Sequence, residues 1–172
     1  MAGLKDLLNW GPLLRTRRNH ALEHASLQIL AQKKPGLRAA GYSDSGGFWV
    51  MGDVSLEDLQ AAVEEAMARL RGGESRLAIH PFCGTNFATT GILAGTTAWM
   101  AMLGTRNRRD VLDRWPLVIS LVTIMMIAAQ PLGPAVQQHV TTEANIGNLQ
   151  ITGMTVQQKS GAPVIRVTTR QS

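Results

Sequence analysis

The residues best suited to chemistry in this chain are three histidines, one glutamate and the single cysteine, and they fall in two short stretches. The first, His20-Ala21-Leu22-Glu23-His24, is an H-x-x-E-H pattern. On a helical wheel of about 100° per residue, His24 lies about 40° and Glu23 about −60° from His20, so two imidazoles and a carboxylate share one arc. Leu22, Ala25 and Ile29 fall on the other side, with Leu30 at its edge, and give the helix an apolar face to bury. Imidazoles one turn apart can chelate one Zn²⁺. The carboxylate between them is offset enough to act on water as a general base instead of entering the coordination sphere. The plain reading is a pair of surface histidines on a helix that starts at Asn19.

The second stretch, His80-Pro81-Phe82-Cys83-Gly84-Thr85-Asn86, holds the only thiol and stands just before an apolar segment. Pro81 stiffens the backbone and Gly84 allows a bend, so His80 and Cys83 can face one point across a tight turn. A helix beginning there favours thiolate at its N-terminus, and thiolate is a good zinc ligand. By ligand chemistry His20, His24, His80 and Cys83 form a tetrahedral set. If all four bind, the site is closed and structural. If one stays away, water takes its place and Glu23 serves as general base. Read alone, Cys83 is a small buried hydrophobe. As a nucleophile with His80 as its base it lacks any orienting partner.

The H-x-x-E-H spacing is that of the inverted zincins. Followed by H-P-x-C-G-T at residues 80–85 and then by membrane segments, it resembles the YqhQ-like bacterial membrane proteins, described as predicted metal-dependent enzymes. The chain is similar also to a related family of small two-helix bacterial membrane proteins in which N-H-A-L-E-H-A and S-D-S-x-G-F recur, here at residues 19–25 and 43–48. The shared motifs cover residues 19 to 90. The resemblance implies metal chemistry at His20, Glu23, His24, His80 and Cys83, and names no substrate.

These residues need elements to position them. With 172 residues, the chain suits one compact domain. At 45% hydrophobic and 17% charged it is not a disordered chain. The net charge is +5, but the basic residues sit beside apolar segments and are not interleaved with stacking aromatics, which points to lipid headgroups and away from nucleic acid. Residues 86–103 and 115–136 carry no charge and are each long enough to cross a bilayer. The first is diluted by four Thr and two Gly, which suit helix contacts within a membrane. TRNRRDVLDR between them makes the pair an antiparallel hairpin. Leu4, Leu7, Leu8, Trp10, Leu13 and Leu14 suggest an amphipathic stretch at the membrane surface, interrupted by Pro12, with Arg15, Arg17 and Arg18 facing anionic lipid.

Residues 16–33 read as a helix stopped by Pro35-Gly36. LRAAGY, SDSGG and FWVMGD read as strand, turn and strand, and Ser55 opens a helix through Arg71. NLQITGMTVQQ and PVIRVTTR flank Lys159-Ser160-Gly161-Ala162 as a second hairpin. The expected fold class is α+β, a small mixed domain made by both chain ends with a two-helix transmembrane hairpin between them. Its parts are residues 1–85 with the metal motifs, 86–138 as the hairpin, and 139–172 as a β-hairpin packing on the N-terminal region.

Asp44 and Asp53 read as turn residues, Glu57, Glu64 and Glu65 as a solvated helix face, His139 as interfacial, and the eight Met as gap-fillers. No Walker loop, dinucleotide fingerprint or nucleophile elbow occurs. The leading expectation is a membrane-anchored, zinc-dependent hydrolase, a peptidase, with Glu23 activating water. The competing one is a membrane assembly or accessory protein with a structural zinc site. Its partners would be the lipid bilayer and a membrane protein or peptide substrate. The place is the bacterial inner membrane: Arg106, Arg108, Arg109 and Arg114 taken alone favour a cytoplasmic loop, but exporting residues 1–85 would carry ten Lys and Arg across without a preceding signal, so cytoplasmic termini are expected.

Overall fold

A computed structural model describes residues 3–159 and 162–171. The chain forms two compact units, Met1–His80 with Gln138–Ser172, and Pro81–Gln137.

In the first unit, α1 (Leu4–Leu8) precedes the long α2 (Gly11–Lys33). Pro12 lies in the first turn of α2, where no backbone N–H is needed, so the break expected at Pro12 falls instead at Asn9-Trp10. The helix therefore starts five residues before the expected Thr16. α1 buries nothing and leaves Leu4, Leu7 and Trp10 exposed.

Four antiparallel strands, β1 (Ala39–Asp44), β2 (Gly47–Gly52), β3 (Leu149–Lys159) and β4 (Ala162–Gln171), form one sheet in the order β1-β2-β4-β3. The first turn is tighter than SDSGG implied, because Ser43 and Asp44 pair with Phe48 and Gly47 and only Ser45-Gly46 are left over. Gly47 is required there: its φ is +144°, and a Cβ would lie 2.0 Å from the Val167 carbonyl oxygen. The tip of the second hairpin, Ser160-Gly161, lies outside the described residues.

Alternation along the strands sends Phe48, Val50, Ile165 and Val167 to one face, where they are buried. α2 and α3 (Leu56–Arg71) cover that face. In α3, Leu59, Ala62, Val63, Ala66 and Leu70 recur at helical spacing and are buried, while Ser55 caps the N-terminus by accepting the Asp58 N–H. Glu64 and Glu65 stay on the outer side, Glu65 pairing with Lys33 at 2.6 Å. The fold is α+β, two layers with the core between them.

α2 is more enclosed than a surface amphipathic helix. The sheet takes one side, α3 another, and the short 3₁₀ turn Ser75–Ala78 a third. His24 is 2% exposed and Glu23 4%. The surface reading of His24 is thereby overturned, because other parts of the chain fold over the polar arc.

The second unit holds α4 (Gly84–Ala101), α5 (Arg108–Ala128) and α6 (Leu132–Val136). The expected polar loop is largely absorbed into α5, since Asn107 caps it by accepting the Asp110 N–H and Arg108 is already helical. α5 stops at Ala128, short of the expected 136, and Pro131 and Pro134 bound and enter a separate short helix. Among the described residues, α5 alone is long and apolar enough by composition to cross a membrane: 21 residues, with mean hydropathy 1.7 over its best window. The expected pair of clear spans is thus reduced to one, because Asn86 and the Thr and Gly of α4 dilute its apolar content. α4 nevertheless has no buried residue, and Phe87, Ile92 and Trp99 are exposed along it.

Candidate metal centre

Three side chains one turn apart on α2 build the site: His20, His24 and Gln28. His20 Nδ1 lies 3.0 Å from the Thr141 carbonyl oxygen, and His24 Nδ1 lies 2.8 Å from that of Ala78. A carbonyl only accepts, so Nδ1 carries the proton in each ring and Nε2 is the lone-pair nitrogen. The two ring centroids are 4.2 Å apart. Imidazoles oriented by a backbone carbonyl on the far nitrogen are in the state that ligates a metal.

Gln28 delivers the third imidazole. Its Nε2 donates to the carbonyl oxygens of Leu77 at 2.8 Å and Ile79 at 3.0 Å, which pins the segment running into His80. His80 then stands with its ring 5.5 Å from that of His24. Burial holds His80 below the usual histidine range, and the neighbouring His24 adds to the effect. A neutral His80 is the ligating form.

Glu23 points from the same helix toward β1. Its Oε2 accepts from Ser43 Oγ at 2.5 Å, and a Cβ on Gly41 would lie 2.2 Å from Oε1, so the glycine makes the space the carboxylate occupies. Burial raises the Glu23 carboxyl above the ordinary glutamate range, against the Ser43 hydrogen bond and the charge of His20. Next to it, Asn19 is wholly buried and bridges the layers, donating to the Asp44 carbonyl and accepting from Thr169 Oγ. Asp44 is more than the expected turn residue. Arg166 holds both its carboxylate oxygens at 2.8 Å, which draws the carboxyl below the usual range although burial opposes the shift.

Of the sequence candidates, His20, Glu23, His24 and His80 lie in the first unit, and the structure sets the His24 ring beside those of both His20 and His80. Cys83 lies in the second unit, buried as the N-cap of α4, its Sγ accepting the Thr85 N–H at 3.4 Å. His139, expected at the membrane interface, is exposed. Sequence reasoning did not find Gln28, Gly41, Ser43 or Asn19. The spacing of 20, 24 and 28 was the available signal for Gln28, and S-D-S-x-G-F contains Ser43. With Nδ1 of each α2 ring fixed on a carbonyl, His20 and His24 could hold a metal ion through Nε2.

A family model described as a domain of unknown function, DUF6391, matches residues 15–154. An uncharacterised protein of Picosynechococcus sp. is 36% identical over 143 residues, covering 76% of this chain and 67% of its own. No solved structure matches.

Proposed function

This chain belongs to the DUF6391 family, and for it we propose a membrane-anchored, zinc-dependent hydrolase of the peptidase class. The observation that carries the reading is the shared state of His20 and His24, both with Nδ1 on a backbone carbonyl and Nε2 left as the ligating nitrogen. His80 is the third nitrogen ligand, which leaves one position of a tetrahedral site open to water. Zinc held there supplies Lewis-acid polarisation of a peptide carbonyl. Glu23 takes the proton of the attacking water, and its raised carboxyl value keeps that exchange nearer neutrality. Ser43 and Gly41 hold the carboxylate in place.

Membrane anchorage has a topological argument. β2 pairs with β4, so chain segments before and after the second unit share one sheet and one side of any bilayer. A crossing by α5 alone would put them on opposite sides. If α5 crosses, a second crossing is required, and α4 is the candidate for it despite its weaker hydropathy. All but four of the 17 Lys and Arg lie in residues 1–80 and 138–172, the four being Arg106, Arg108, Arg109 and Arg114. Taken alone, those four favour a cytoplasmic loop; the thirteen in the first unit are what weigh for cytoplasmic termini.

One observation favours the second reading, an accessory protein with a structural zinc site: the Glu23 carboxylate is already engaged by Ser43. X-ray absorption on the zinc-loaded protein separates the two. The hydrolase has three protein ligands and one exchangeable oxygen; four protein ligands would leave only the structural site. Glu23→Gln is expected to keep stoichiometric zinc and lose peptide turnover by at least about 10²-fold. In the unaltered protein the rate should fall as pH drops through the raised Glu23 value, above the ordinary glutamate value of about 4.3. An unchanged rate in Glu23→Gln ends its role as base.

A further inference from the structure

The tip joining α4 to α5 carries side chains that hydrolysis does not use. Arg106, Arg108 and Arg109 are exposed, and none makes a side-chain hydrogen bond or ion pair among the described residues. The acidic groups nearby do not neutralise them. Asp110 is taken up in capping, accepting the Arg106 backbone N–H at 3.0 Å while its own N–H bonds Asn107. Asp113 is exposed further along α5. Arg114 is spent on the end of α4, donating to the carbonyl oxygens of Ala101 and Leu103.

A cavity of about 500 Å³ opens at this tip, lined by Arg106 and Arg108 together with Thr105, Asn107, Val111 and Leu112. Two unpaired guanidinium groups thus share a cavity with the apolar side chains of Val111 and Leu112, at the start of the exposed apolar helix α5. We propose that this cavity binds the phosphodiester of an anionic phospholipid headgroup. The guanidinium forks match phosphate oxygens in charge and shape. Thr105 and Asn107 supply polar groups for a headgroup hydroxyl, and Val111 with Leu112 takes the glycerol and upper acyl carbons. The assignment rests on the reading of α5 as membrane-crossing, since an acyl chain must continue along the helix.

The test uses the full chain in mild detergent, titrated with short-chain phosphatidylglycerol, with the matching phosphatidylcholine and with inorganic phosphate, bound adducts being counted by native mass spectrometry. Phosphatidylglycerol should bind in preference to phosphatidylcholine. Arg106→Gln with Arg108→Gln should weaken it roughly thirtyfold, about fivefold per charge, whereas Arg76→Gln, far along the chain, should leave it unchanged. Equal retention of the two lipids, or full binding by the double variant, overturns the proposal. Displacement of phosphatidylglycerol by an equal concentration of inorganic phosphate assigns the cavity to free phosphate and overturns the lipid assignment. Carbonate extraction of membranes holding the protein reads the anchorage separately. Release into the soluble fraction defeats the membrane-crossing premise and the lipid assignment with it, whereas retention without lipid preference defeats the headgroup site alone.

Discussion

At the scale of single residues, the site depends on side chains whose roles are to orient others. Gly41 is the sharpest case. A methyl group there meets the Glu23 carboxylate at 2.2 Å, and a buried carboxylate has nowhere to swing without losing Ser43. Gly41→Ala is expected to destabilise the protein by about 1–3 kcal/mol. The same change in a Glu23→Ala background should cost far less, and urea unfolding of the four proteins in this cycle measures the coupling. A penalty of the same size in both backgrounds would show that Gly41 serves the strand and not the carboxylate. Asp44 gives a pH signature. Its carboxyl lies below the ordinary value because of Arg166, so the folded state binds its proton less readily than the unfolded chain. The pair therefore contributes stability above about pH 4 and loses it as pH falls from there through the lowered value. Asp44→Asn should be less stable at pH 7, with a shallower loss of stability in acid; unfolding midpoints between pH 7 and pH 3 report both.

At the scale of elements, α2 carries the site because it is enclosed on several sides. Gln28 ties it to the segment before His80, and Thr141 and Ala78 supply the carbonyls that set the two rings. Gln28→Ala should loosen His80 and weaken zinc binding about tenfold, the lower end of the effect for residues behind metal ligands. Competition with a chromophoric chelator measures it, and an unchanged affinity removes His80 from the ligand set. Phe48 on the sheet is a fully buried member of the core that α2 shares. Phe48→Ala should cost about 3–5 kcal/mol, seen as a lower unfolding midpoint.

At the scale of the whole molecule, the consequential feature is that one sheet is made from both ends of the chain. Under the proposed membrane anchorage, it would keep β2 and β4 on one side of a bilayer and require an even number of crossings between them. Cys83 is a poor reporter of sidedness, because it is buried and caps α4. A cysteine appended after Ser172 in a Cys83→Ser background is the better probe. With cytoplasmic termini, a membrane-impermeant maleimide should label it only after permeabilisation; labelling in intact cells would place both ends outside.

Much of this was legible in the linear chain, and for a local reason. H-x-x-E-H announced one helix face, Ser55 and Gly72 bounded α3, and strand alternation marked the sheet, because capping, periodicity and turn preference act over a few residues. Folding alone decided which groups meet over long separations. The carbonyls of Thr141 and Ala78, the space at Gly41 and the Ser43 hydroxyl belong to segments distant from α2 in sequence, and nothing in the local pattern specifies which backbone oxygen will face which ring. The helix boundaries at Gly11 and Arg108 were missed for a related reason. Proline in a first turn and a charged run after an Asn cap both look like interruptions, yet both are compatible with helix once the backbone closes around them.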